Sequence, residues 1–190
     1  MAPGRYAMDF VSDREDTPKV LVDVPAGYVA GGGGSKFAND GEDGFRHFDA
    51  WTVATVATDP CGDTEWVDPG PGVDDLVDAL TALPVWESTE PVPRAIAGHD
   101  GIYMELNVPA HVPAECDGEP RSWRDVRGSY QGVGEGKTQR LWIADVDGHR
   151  LMLVAGYFPG PEGPTQEQVD EMTLMAEGAT FVDADSQIAP

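Results

Sequence analysis

The sequence is poor in positive charge. Twelve Lys and Arg residues stand against 34 Asp and Glu residues, which gives a formal net charge of −22. Nucleic acids and anionic membrane surfaces are bound by basic faces, so both are disfavoured as partners. An excess of acidic side chains is typical of a well-solvated surface. A cation-binding role or a basic partner is the alternative interpretation.

The chain also lacks a long apolar run. No segment approaches the roughly 20 apolar residues that a membrane span requires. Residues 1–10 contain no apolar core of the kind that an export leader has. We therefore expect no membrane span in this chain. Two origins stay open: a cytosolic protein, or an exported protein whose leader and tether preceded Met1.

The common catalytic and metal-binding motifs are missing as well. The glycine run Gly31–Ser35 does not continue into a phosphate-binding loop, and Asn39–Gly44 lacks the ligand spacing of an EF-hand. No Gly-x-Ser-x-Gly elbow is present. The histidines do not stand at ligand spacing and are predicted to be polar surface residues; they are His47, His99, His111 and His149. We predict no catalytic residue, no metal site and no cofactor.

Only two cysteines occur, Cys61 and Cys116, and each is predicted to lie in a polar loop. Buried free cysteines are usually found among apolar residues, so this setting favours a disulfide bond. Such a bond persists in oxidising compartments. Two unrelated surface thiols are the alternative, and a zinc site is disfavoured because no second pair of ligands accompanies the cysteines.

The clearest element that the chain does contain is a β-hairpin over Gln139–Phe158. Two apolar runs flank Asp147-Gly148, a dipeptide that favours a tight type I′ turn. The second arm is apolar at every position from Leu151 to Ala155. A strand of this kind is covered on both faces, so other layers must pack above and below it.

Helix and strand patterns complete the predicted fold. An apolar stripe predicts a helix from Val73 that ends at Pro84, and Thr165 with Gln168 forms a capping box for a second helix that ends at Gly178. We expect an α+β single domain over residues 1–183, with an antiparallel sheet of about seven strands covered by the two helices. Phe48–Thr58 is predicted to be one strand, and residues 184–190 a frayed tail.

Three tryptophans lie in or near predicted loops: Trp66, Trp86 and Trp123. Exposed aromatic side chains on loops bind sugars or protein partners, so these three are the candidate binding residues. The alternative, which the burial habits of tryptophan favour, is that they cover the ends of the sheet.

The order of several short motifs resembles uncharacterised secreted domains and lipoproteins of actinobacteria. The motifs are Pro3–Tyr6, Val24–Tyr28, Asp59–Cys61, Val73–Leu80, Cys116–Gly118 and Leu141–Leu151. The resemblance implies that the two cysteines pair with each other, and it brings no established reaction. The order of elements is also similar to the PsbP-like α/β/α sandwich. The segment from Gly31 to Asp43 is longer and richer in glycine than this family implies.

Together these features predict a non-enzymatic, extracytoplasmic module of the cell envelope, secreted or lipid-anchored, that binds a protein partner or a small ligand. A hydrolase or ligand sensor with a site built from loops is the first alternative. A structural subunit of a surface assembly is the second.

Overall fold

The computed structural model describes residues 1–31, 36–39, 44–61, 64–111, 116, 120–132 and 134–186. This part of the chain is α+β, with two helices and three sheets in which every strand pair is antiparallel. The predicted fold class is therefore confirmed at the level of α+β. The predicted single sheet of about seven strands is wrong, because the strands are divided among three sheets.

The helices and strands are short apart from the central hairpin. They are β1 (Gly4–Met8), β2 (Lys19–Val24), β3 (Val29–Gly31), β4 (Lys36–Asn39), β5 (Arg46–Trp51), β6 (Thr55–Ala57), β7 (Trp66–Val67), α1 (Val73–Thr81), β8 (Glu87–Ser88), β9 (Val92–Pro93), β10 (Gly101–Asn107), β11 (Arg121–Arg124), β12 (Tyr130–Gly132), β13 (Thr138–Val146), β14 (His149–Tyr157), α2 (Gln166–Glu177) and β15 (Thr180–Val182).

The central sheet has the strand order β3-β4-β5-β14-β13-β10-β8, with β9 also paired to β10. Its middle is the predicted hairpin of β13 and β14, whose register runs from Thr138 opposite Tyr157 to Val146 opposite His149. Asp147 and Gly148 have φ values of 53° and 80°, the positive values that a type I′ turn requires. The predicted hairpin and its turn are confirmed.

Separate layers cover the two faces of the central sheet. On one face lie α2 and the N-terminal sheet (β1, β2 and β15), and they share a core with Phe48, Trp142 and Leu153. On the other face lie α1 and the small sheet (β6, β7, β11 and β12), and they share a core with Leu141 and Val154. Alternate residues of β14 thus enter different cores, which explains why this strand is apolar throughout.

Both predicted helices are confirmed, and at the start of each a side chain accepts a hydrogen bond from a backbone amide. The Thr165 hydroxyl accepts a hydrogen bond from the Gln168 amide, while the Thr165 amide donates to the Gln168 side chain. At α1 the Gly72 amide donates to the Asp75 carboxylate over 2.8 Å. The N-cap hydroxyl of Thr165 stabilises α2 by about 1 kcal/mol.

Arg150 of β14 fastens the start of α1 to the central sheet. Its guanidinium donates to the carbonyls of Gly70, of Gly72 over 3.1 Å and of Val53 over 2.8 Å. A guanidinium has several donors in a fixed planar arrangement. One side chain can therefore hold the segment before α1 and the segment before β6 together.

The predicted strand Phe48–Thr58 is two strands in different sheets. β5 pairs with β14 in the central sheet, whereas β6 pairs with β11 in the small sheet. The chain turns between them at residues 52–54, where the Thr52 hydroxyl donates to the Val11 carbonyl. A run rich in β-branched residues indicates extended backbone, but it carries no signal for a change of sheet.

The N-terminal sheet joins distant parts of the chain. β2 pairs with β1 on one side and with β15 on the other, where Leu21 lies opposite Thr180. A frayed tail over residues 184–190 stays a prediction, because residues 187–190 lie outside the described part. The glycine run Gly31–Ser35 and the segment Asn39–Gly44 also lie mostly outside it. Within the described ranges no helix is long and apolar enough to cross a bilayer.

Candidate functional site

A row of polar side chains crosses the otherwise apolar face of the central sheet that faces the small sheet. His47 of β5 lies opposite Gly156 of β14, which lies opposite Gln139 of β13. Asp49 comes two residues after His47 in β5, and it lies on the same face because side chains alternate between the faces of a strand with a period of two. His47 and Gln139 have no exposed surface, and Asp49 is 2% exposed. Buried polar side chains are costly unless they are paired, so this row marks a candidate site.

His47 and Asp49 form a buried pair. Nδ1 of His47 lies 2.9 Å from Oδ2 of Asp49, and the other carboxylate oxygen, Oδ1, lies 3.7 Å from the ammonium nitrogen of Lys36. Lys36 comes from β4, where it stands directly opposite Asp49. The aromatic ring of Phe45 lies 5.5 Å from the His47 ring and 5.8 Å from the ammonium of Lys36. The carboxylate is thus fixed by an imidazole on one side and a cation on the other.

The surroundings set the charge of each member of the pair. Complete burial lowers the pKa of His47, which outweighs the attraction of Asp49, and Lys36 and Lys137 lower it further. Burial by itself raises the pKa of Asp49, but His47, Lys36 and Lys137 together bring it below its ordinary value. His47 is therefore neutral and Asp49 ionised at neutral pH. The carboxylate keeps its negative charge inside the fold.

Gly156 makes room for the imidazole ring. A Cβ atom at this position would lie only 2.1 Å from Nε2 of His47. A glycine in the middle of a strand is unfavourable by itself and often marks a close approach of another group. Here the group is the His47 ring, which occupies the space that a side chain on β14 would fill.

A cleft opens beside the pair, between β5 and the hairpin of β11 and β12. It has a volume of about 350 Å³. Asp49, Asp125 and Lys36 form the charged part of its wall, and Trp51 and the half-exposed Tyr130 form the aromatic part; the other lining residues are Val11, Ala50, Ser129, Gln131 and Gly132. Pockets that bind small ligands have volumes of about 300 to 1,000 Å³ and combine apolar walls with a few convergent polar groups. The cleft has this composition.

The three tryptophans predicted as binding residues do not line this cleft. Trp123 has no exposed surface and Trp86 is 7% exposed, and both belong to the core beneath the small sheet. Trp66 packs against the same core, with the Arg124 guanidinium 4.9 Å from its ring centre. The structure brings the three together as packing residues. Trp123 approaches the cleft only through Trp51, whose ring lies edge-on at 6.1 Å.

Cys61 and Cys116 are joined by a disulfide bond, with Cα atoms 4.4 Å apart and a sequence separation of 55. Cys61 follows β6, and Cys116 lies between β10 and β11. The bond therefore connects two segments that lead into the small sheet, one wall of the cleft. The predicted disulfide is present.

The prediction that the histidines are surface residues is wrong for two of them. His47 is fully buried and His149 is 7% exposed. Nε2 of His149 lies 3.6 Å from Asp16 and Nδ1 lies 3.4 Å from the Thr17 hydroxyl. Among the described residues no three His, Cys, Asp or Glu side chains come together in a way that could hold a metal ion.

The sequence contains a signal for the buried pair that motif searches do not detect. His47 and Asp49 stand at i and i+2 within Phe45–Trp51, so a strand places both on the face that otherwise carries apolar residues. Gly156 interrupts an apolar strand, which indicates a close approach of another group. Their meeting depends on the pairing of β5 with β14, which the sequence alone does not reveal.

The chain was compared with protein-family models, curated proteins and solved structures. No protein-family model and no curated protein matches the chain. A solved structure, the crystal structure of LpqN involved in cell envelope biogenesis of Mycobacterium tuberculosis, is similar with a TM-score of 0.46 and 12% sequence identity. The match covers 94% of this chain and 90% of that one.

Proposed function

We propose that the protein is a non-enzymatic, extracytoplasmic module of the cell envelope that binds a small polar ligand in the cleft beside Asp49. The observation that carries this proposal is the convergence of an ionised carboxylate and the Lys36 ammonium on the wall of a 350 Å³ cleft that also holds Trp51 and Tyr130. Few polar groups among aromatic walls are the usual composition of a ligand site.

The disulfide bond supports the extracytoplasmic part of the proposal. Disulfides persist in oxidising compartments and are reduced in most cytosols. The bond between Cys61 and Cys116 joins the segment after β6 to the segment before β11. The motif order that resembles actinobacterial secreted domains and lipoproteins agrees with export, as a secreted or a lipid-anchored protein. The layers, with one helix on each face of the central sheet, agree with the proposed PsbP-like sandwich.

The burial of the histidine supports binding rather than catalysis. A general base must come within hydrogen-bond distance of the proton that it removes. His47 has no exposed surface, and its Nε2 faces the backbone of Gly156 instead of the cleft. The imidazole therefore acts on the carboxylate of Asp49, which it holds in place, and not on a bound molecule.

The ligand-binding proposal is tested by nuclear magnetic resonance of 15N-labelled protein. The panel contains neutral sugars, polyols, amino acids and nucleosides, each added to about 10 mM so that even a Kd near 1 mM is detected. We expect a saturable shift of the Trp51 indole signal, assigned with Trp51→Phe, and of the Gln131 amide. The indole of Trp142, buried in the other core, is the internal control.

Two results would contradict the proposal. A panel that leaves the Trp51 and Gln131 signals unchanged would remove the cleft as a ligand site. Turnover of any panel compound, abolished by Asp49→Asn, would favour the hydrolase alternative over a binding module.

Location is tested separately: in an actinobacterial host, we expect Cys61 and Cys116 to resist alkylation until a reductant is added. Thiols that react in untreated cells would contradict export.

A further inference from the structure

The cleft wall carries two carboxylates, those of Asp49 and Asp125, and one ammonium group, that of Lys36. Asp125 is committed to its own turn, because its Oδ1 accepts the amide hydrogens of Arg127 and Ser129 over 2.8 and 2.9 Å. The Gln131 amide group donates to the Gly132 carbonyl over 2.7 Å. In contrast, Oδ1 of Asp49 has no hydrogen-bond partner among the described residues, although the side chain is only 3% exposed.

Lys36 does not complete the pairing of this oxygen. Its ammonium nitrogen stands 3.7 Å from Oδ1 of Asp49, beyond hydrogen-bond distance, and its side chain is 34% exposed. A buried carboxylate oxygen without a hydrogen bond is unfavourable, so a donor that enters the cleft gains this contact. The Lys36 ammonium remains available to an acceptor on the same molecule.

The charges limit the chemistry of that molecule. The formal charge of −22 repels anions from the protein as a whole. The ammonium of Lys36, 3.7 Å from Oδ1, repels a cation that carries no compensating negative charge. A molecule with both charges close together avoids both penalties. It also replaces the lost hydration of the buried Asp49 charge with an opposite charge, which a neutral hydroxyl does not.

We propose that the cleft binds a free α-amino acid with an apolar or aromatic side chain. Its ammonium group donates to Oδ1 of Asp49, and its carboxylate pairs with Lys36. Its side chain lies against Trp51, Val11 and Tyr130. The cleft volume of about 350 Å³ is at the small end of ligand pockets, which suits one amino acid. This inference rests on the proposed binding function and names its ligand class.

Calorimetric titration with four probes tests the inference on the wild-type protein. The probes are phenylalanine, N-acetylphenylalanine, phenylalaninamide and glucose. Removal of either charge of the ligand is expected to weaken binding about tenfold or more, the effect of losing one hydrogen bond to a charged group. Glucose is expected not to bind.

Variants connect each ligand charge to its partner. Asp49→Asn should bind phenylalanine no more tightly than N-acetylphenylalanine, which lacks the ammonium group. Lys36→Met should bind phenylalanine no more tightly than phenylalaninamide, which lacks the carboxylate. Matched controls are Asp23→Asn, at a side chain that is 66% exposed and paired with Arg5 on the surface, and Lys19→Met on β2. Neither lines the cleft, so both should bind phenylalanine like the wild type.

The outcomes separate this inference from the broader proposal. Equal binding of phenylalanine and its N-acetyl form by the wild-type protein overturns the zwitterion assignment, and this result does not depend on any variant folding. Binding of glucose with no response to phenylalanine also overturns it but leaves a ligand-binding cleft. If no member of the wider panel shifts the Trp51 signal, both proposals fall.

Discussion

Gly156 is the position at which a single methyl group most directly disturbs the buried pair. In Gly156→Ala the new Cβ would lie 2.1 Å from Nε2 of His47, whereas carbon and nitrogen atoms in contact need about 3.5 Å. Either the ring moves by about 1 Å or more, or β14 does. Forced overpacking of a core costs about 1–3 kcal/mol. Displacing Nδ1 of His47 from its 2.9 Å contact with Asp49 adds about 1 kcal/mol.

We therefore expect Gly156→Ala to lower the free energy of unfolding by about 3 kcal/mol, after a small gain from the stiffer unfolded chain. For a chain of this length that corresponds to a fall in Tm of about 6–12 °C. Urea unfolding followed by tryptophan fluorescence measures the free energy, and calorimetry measures Tm. Gly31→Ala is the control, because a Cβ there meets nothing within 4 Å.

A double-mutant cycle shows whether the His47 ring is the cause. In the His47→Ala background the ring is gone, so Gly156→Ala should cost less than about 1 kcal/mol, with a coupling energy of about 2 kcal/mol between the positions. A cost that is the same in both backgrounds would refute the steric argument. So would a cost below about 0.5 kcal/mol in the wild-type protein, since it would mean that the strand yields freely.

Three further predictions concern the pair, the disulfide and the start of α1. Because burial lowers the pKa of His47, the unfolded chain takes up a proton below about pH 6.5 that the folded protein does not, so the folded protein becomes less stable as the pH falls below that value. In urea titrations, His47→Gln should therefore destabilise the protein most above about pH 7 and less near pH 5. A loss of stability that is the same at every pH would contradict this. Replacing Cys61 and Cys116 by alanine opens a loop of 55 residues. In the chain-entropy model this should lower the free energy of unfolding by about 4 kcal/mol, which denaturant titration measures. A decrease of less than about 1 kcal/mol would count against a stabilising role of the disulfide. Arg150→Met removes the donor to the Gly70, Gly72 and Val53 carbonyls and should lower the free energy of unfolding by about 3 kcal/mol. Amide hydrogen exchange should then be faster in α1 than in α2. Equal exchange in both helices would show that the guanidinium does not hold α1.

The sequence predicts the elements that local chemistry decides. The Asp147-Gly148 turn, the cap at Thr165 and the apolar stripe from Val73 each depend on residues a few positions apart. The layers above and below β14 follow from its unbroken apolar run. These features were found because each requires particular backbone angles or a particular periodicity.

Long-range pairing decides what the sequence does not predict. The change of sheet after Trp51 depends on β11 being available to pair with β6, and nothing near residues 52–54 encodes that partner. The cleft depends on the same event, because β11 and β12 form its far wall. His47 and Gly156 come together only through the pairing of β5 with β14, because they lie about 110 residues apart along the chain.

The pairing of β15 with β2 has a consequence for the time at which the protein can fold. Thr180 lies opposite Leu21, so 159 residues must be synthesised after Leu21 before its partner exists. At about 5–20 residues per second, a ribosome needs roughly 10–30 s for this. During that interval β2 has only β1 beside it, and its other edge is open. The N-terminal sheet therefore cannot close until β15 has been synthesised.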